Sequence, residues 1–199
     1  MKTDDGSEAV ALFEKLENCG WFDDLPKSLA ISTLLAMKAA AAENQPSFHG
    51  LIVNVCDGIY LLDEKPYSSL CRQFVEASGN LIPLEVFEES RHGDRIHFVF
   101  GSPSSRITLD LPARADDLPD TFVRGINQAV TESGSHLQFL ELNVGWGPIP
   151  AYTLTSITAF NAAVKARLLP DQRRFVPADQ EEALASTFAA RLAKIVHGS

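Results

Sequence analysis

Apolar and polar positions along the chain fall into two alternating rhythms, and the sharpest one lies near its middle. Ile96, Phe98 and Phe100 alternate with Arg95, His97 and Val99. After Gly101-Ser102-Pro103-Ser104, Ile107, Leu109 and Leu111 alternate with Arg106, Thr108 and Asp110. A period of two with one apolar face predicts half-buried strands joined as an antiparallel meander. Leu81 to Glu89 alternates more weakly and contains Pro83, which suits an edge strand or a strand start. Arg91-His92-Gly93-Asp94 reads as the turn between them. A second kind of strand unit spans His49 to Gly79. Leu51 to Val55 and Ile59 to Leu62 are near-continuous apolar arms around Asp57-Gly58, a dipeptide suited to a tight hairpin turn. Pro66 stops strand pairing and suits a first helical turn. Leu70, Phe74 and Ala77, widened by Cys71 and Val75, form one helical face that Gly79 closes. Arms this apolar require cover on both faces, so this unit is read as the nucleus of the fold.

The helical rhythm of 3.6 appears elsewhere. Residues 7–19 carry Val10, Leu12, Phe13 and Leu16 as a stripe, with Ser7 as N-cap and Gly20 as the stop. Trp21 and Phe22 anchor the connection to a second helix from Lys27 to Glu43. Its seam is Ala30, Leu34, Met37 and Ala41, widened by Ile31 and Leu35. The small residues Ala39 to Ala42 invite close packing. A helix near 120–133 carries Phe122, Ile126 and Val130, with Gly125 inside it and Gly134 at its end. Leu137 to Val144 and Ile149 to Thr155 read as paired strands, and Thr155 as the cap of a helix from Ser156 to Leu168. Pro170 to Pro177 is a linker to a last helix over 178–196, acidic at its start and basic at its end. The predicted class is α+β: one domain over 1–199, with helices packed on a mainly antiparallel sheet. A mixed sheet stays open, because helices connect some of its strands.

Composition narrows the function classes. The net charge of −9 argues against nucleic acid and against an anionic membrane surface, since both require clustered Lys and Arg. No apolar stretch has the length of a membrane span, and the N-terminus lacks a signal-peptide core. Cys19, Cys56 and Cys71 are odd in number and set in apolar sequence, as reduced structural thiols are. Together these features predict a cytoplasmic protein.

Catalytic signatures are sparse. No phosphate-binding loop, nucleophile elbow, zinc motif or dinucleotide fingerprint is present, and no cofactor is implied. Asp57 with Asp63-Glu64-Lys65 loosely matches a metal-dependent nuclease pattern. With the turn at Asp57-Gly58, however, Asp63 would lie roughly 17 Å along the second arm, too far for a shared metal. Cys71 could be a nucleophile only at a helix N-terminus, and the pattern places it a turn in, on an apolar face. What remains suits binding. Acidic pairs recur at Asp23-Asp24, Asp63-Glu64, Glu88-Glu89 and Asp116-Asp117, and Trp146 sits in a Gly/Pro-framed turn. Asp63, Glu64, Asp116, Asp117 and Trp146 are the candidate partner-binding residues.

GLIVNVCDGIYLLDEKPYSSL, a hairpin running into a helix, and FLELNVGWGPIPAYTLTSITAFNAAVKARLLP, a strand pair running into a helix, carry a resemblance. Over residues 20–170 the layout resembles the immunity proteins encoded beside secreted bacterial polymorphic toxins. The resemblance implies a small acidic cytoplasmic protein that binds a cognate, basic toxin and blocks its active site. It transfers no functional residue, because such proteins bind through surfaces that differ from case to case. Two other classes stand beside it: a small enzyme whose site is assembled from distant residues, and an adaptor domain.

Overall fold

The computed structural model describes residues 5–53, 64–102, 104–114, 118–142 and 151–170. In chain order these form α1 (Asp5–Asn18), α2 (Lys27–Ala42), a short 3-10 helix (Ser47–Leu51), α3 (Pro66–Ala77), β1 (Glu85–His92), β2 (Arg95–Ser102) and β3 (Ser105–Pro112). Then come α4 (Asp120–Glu132), β4 (Leu137–Leu142), β5 (Ala151–Ser156) and α5 (Ile157–Lys165). The fold is α+β, and every described strand pair is antiparallel. The strands form two sheets, β1-β2-β3 and β4-β5.

The meander follows the alternation. Ile96, Phe98 and Phe100 of β2 face inward beside Leu111, Leu109 and Ile107 of β3, each pair in register. The β1–β2 turn contracts to Gly93-Asp94, with Gly93 at φ +64° as a two-residue hairpin requires. Pro83 precedes β1 rather than lying within it, so no ladder hydrogen bond is forfeited. A bulge at Phe87 then lets Arg106 stack 4.4 Å above its ring.

β4 divides the interior. Leu137 and Phe139 point into a core shared by α3, α4 and the three-stranded sheet. Leu140 and Leu142 point into a second core built by α1, α2 and α5. Both faces of this strand are therefore buried, which explains its dense apolar sequence. In the first core Phe122 has four aromatic neighbours, Tyr67, Phe74, Phe98 and Phe100, with ring centroids 5.3–6.2 Å away. The Asn127 carboxamide bridges the cores' boundary: its Nδ2 donates to the Phe139 carbonyl at 2.9 Å, and its Oδ1 accepts from the Phe139 N–H at 2.8 Å.

Several local expectations shift. Leu51 belongs to the 3-10 helix and not to a strand. The chain turns extended only afterwards, where the Val53 N–H donates to the Tyr152 carbonyl at 2.7 Å as a single bridge to β5. The cause is Gly50: a Cβ there would lie 2.2 Å from the Met37 nitrogen, so only glycine lets this turn press against α2. Close packing on α2 thus occurs at Ala36 and Met37, one turn before the alanine run. The rest of the predicted hairpin, with Cys56 and Leu61, and the predicted helix 178–196 lie outside the described residues. Ser156, not Thr155, caps α5, its Oγ accepting from the Ala159 N–H at 3.2 Å. The Thr155 hydroxyl is buried and donates instead to the Trp21 carbonyl at 2.9 Å. Ser7 lies inside α1, which begins at Asp5. Met37 and Ala41 hold the α2 seam, but Ile31 and Leu35 turn outward, 58% and 61% exposed.

Candidate functional site

Four of the five predicted partner-binding residues, Asp63, Asp116, Asp117 and Trp146, lie outside the described residues. Glu64 is exposed on the approach to α3. The positive end of that helix is met from elsewhere in the chain. Glu89 of β1 accepts through Oε1 from the Tyr67 N–H at 3.1 Å and through Oε2 from the Ser68 N–H at 2.8 Å. The Ser68 hydroxyl donates to the same Oε2. One carboxylate thereby satisfies two of the first N–H groups of α3 and meets the helix dipole. In the pair Glu88-Glu89, then, Glu89 is structural and only Glu88 faces solvent.

Cys71 is buried, and desolvation pushes its thiol up to about 12, so it stays protonated and unreactive at neutral pH. Of the nuclease-like pattern only Glu64 and Lys65 are described. Among the described residues no group of three or more His, Cys, Asp or Glu side chains is placed to hold a metal.

One constellation was invisible in local sequence. The β1–β2–β3 register sets Ser90 opposite His97 and His97 opposite Asp110, in one row on the solvent face. His97 Nδ1 lies 3.2 Å from Asp110 Oδ1. Folding the two strands about the 103–104 turn would have paired His97 with Asp110. The row does not make a nucleophile. Ser90 Oγ donates to Glu88 Oε1 at 3.0 Å and lies 3.3 Å from His92 Nε2. Asp110 is 70% exposed, so water screens the charge that would polarise the imidazole.

Among the described residues a half-open groove of about 350 Å³ lies between α2 and α3. Leu29, Thr33 and Ala36 form the α2 wall, Gln73, Glu76 and Ala77 the α3 wall, and Val53 and Leu154 the floor strands. Trp21 and Leu25 close one end, and the turn joining them carries Asp23 and Asp24, both exposed. Glu76, also exposed, stands on the α3 side. Comparison with protein-family models, with characterised proteins and with solved structures finds no match to this chain. The site is therefore read from its own chemistry. Ser32 and Thr33 spend their hydroxyl protons on the carbonyls of Ser28 and Leu29, both at 2.9 Å, which leaves oxygen acceptors toward the groove. An apolar groove with acceptors inside and the Glu76 carboxylate in its lining suits a ligand that is apolar with a cationic end. Sequence reasoning named the pair Asp23-Asp24 but not Glu76, which reaches the groove only through the packing of α3 beside α2.

Proposed function

We propose that the chain is a non-catalytic binding protein, an immunity protein that neutralises a cognate bacterial toxin by occluding its active site. The observation that carries the reading is the groove, apolar within and lined on its α3 side by Glu76, with Asp23 and Asp24 exposed in the turn between two other lining residues, Trp21 and Leu25. A toxin that acts on an anionic substrate presents basic residues around its own site, and these carboxylates are complementary to them. The overall charge of −9 supports the same pairing by drawing a basic partner in from a distance.

The test begins with the reading frame adjacent to this one: a toxin domain encoded there supports the reading, and its absence counts against it. Co-expression should restore growth to cells producing that domain, and loss of protection would remove the reading. Association should slow about tenfold or more between low salt and 0.15 M, where the Debye length is about 8 Å, while dissociation changes little. Replacing Glu76, or Asp23 together with Asp24, by lysine should slow association about tenfold with the melting temperature unchanged. Fluorescence of Trp21, which lines the groove, should change on binding.

A further inference from the structure

The groove looks onto the edge of a strand, and we propose that it takes an extended segment of a partner polypeptide, added antiparallel to β5. Thr153 and Leu154 are consecutive in β5, so their side chains turn to opposite faces of the sheet. Leu154 packs into the core shared with α3, whereas Leu140, which lies opposite Thr153 in the ladder, packs into the core built on α2. Both Thr153 and Leu154 nevertheless line the groove. It therefore meets the strand edge-on, with α2 as one wall and α3 as the other.

The ladder states which main-chain groups leave that edge. Asn127 holds both the N–H and the carbonyl of Phe139, so these point away from β5. Phe139 and Leu154, which lie opposite each other, are then a pair without mutual hydrogen bonds. The N–H and carbonyl of Leu154 accordingly point out of the other edge, as does the Tyr152 carbonyl that accepts from Val53. Continuing the antiparallel Val53 bridge would bring Leu51 to Leu154, but Leu51 already belongs to the 3-10 helix. Among the described residues no hydrogen bond reaches either outward group of Leu154, although the residue is only 4% exposed. A buried donor and acceptor side by side on a strand edge complement one residue of extended backbone.

Strand alternation then sets the side chains of the occupant. The residue paired with Leu154 shares its face, toward α3, where Glu76 is the charged lining residue, so a basic side chain fits there. Its two neighbours turn toward α2, where Leu29 and Ala36 are apolar. The segment is apolar–basic–apolar. This rests on the groove being the partner-binding site, and it names the part of the partner that enters.

The test is a titration of the full, nitrogen-15-labelled chain with acetyl-Ser-Leu-Arg-Leu-Ser-amide, followed by NMR. Binding should saturate, and the Leu154 amide proton should move downfield as it gains an acceptor. Methylating the arginine nitrogen of the peptide removes the donor for the Leu154 carbonyl and should weaken binding about tenfold or more. Glu76→Gln, at an exposed position, should abolish the preference for this peptide over its glutamine-centred analogue. A peptide that does not saturate by about 5 mM, or shifts that miss Leu154, would overturn the proposal. So would equal binding of the methylated peptide, or Leu154 shifts that follow protein concentration alone, which would give the edge to a second copy. No toxin enters the titration, so it fails or succeeds separately from the protection assay.

Discussion

Single atoms decide several positions where propensity alone misleads. Gly50→Ala puts a methyl group 2.2 Å from the backbone of Met37, which cannot move without shifting α2. Its expected cost is about 3 kcal/mol or more, read as a drop in the urea midpoint. Gly93→Ala has open space around it and suffers only from φ +64°, so about 1 kcal/mol is expected. In the sequence both are glycines beside apolar runs. Only Gly93, between alternating strands, announces its turn, because the neighbour that confines Gly50 is thirteen residues away on α2. Cys71 gives the chemical counterpart. Its burial was legible from the spacing of Leu70 and Phe74. Thiol labelling of the native protein should therefore leave it unmodified while the half-exposed Cys19 reacts, and unfolding should equalise the two.

Elements were read more surely than the contacts that fasten them. β2 and β3 alternate so regularly that their inward faces could be stated from sequence, as could that of α4 with Phe122, Ile126 and Val130, but the turn read at 101–104 is shorter than predicted, because Gly101 and Ser102 continue β2 and pair with Arg106 and Ser105. The fastening of α3 could not, because Glu89 lies more than twenty residues from the N–H groups it accepts, and nothing in PYSSL signals its absence of a local cap. Glu89→Ala should cost about 1–3 kcal/mol, since it leaves two part-buried N–H groups without their acceptor. Glu88→Ala, one residue earlier and exposed, should fall within about 0.5 kcal/mol of the parent. Parallel denaturant titrations distinguish the two. The outward rotation of Ile31 and Leu35 escaped prediction for a related reason. An apolar stripe wider than one neighbour can cover reads in sequence as a wider seam, whereas here the 3-10 helix covers only one side of it.

On the scale of the molecule, two cores share one strand, and the candidate groove opens where α2 of one core meets α3 of the other. No local pattern could place Trp21 and Glu76 in the lining of one groove. The first core also sets an alkaline limit. Burial and the charge of Glu89 push the Tyr67 hydroxyl up to about 12, and burial does the same to Cys71. Below about pH 7.5 both groups are neutral, folded or unfolded, and their contribution is fully present. Above it the unfolded chain ionises while the folded one resists, so stability is lost as pH climbs toward 12. Denaturant midpoints measured from pH 8 to 11 should fall, and less steeply in Tyr67→Phe. The two-stranded sheet at the centre has one more consequence. LQFLEL in β4 is a short, strongly apolar strand of the kind that seeds fibrils when its edge is bare. Asn127 occupies the outward N–H and carbonyl of Phe139, and Val53 holds the far edge at Tyr152. A carboxamide on a helix thus serves as a stand-in strand that no other molecule can displace while α4 is docked. Asn127→Leu should keep the secondary structure but shorten the lag before thioflavin-positive aggregates form on gentle heating, because the edge would then be open to any neighbour.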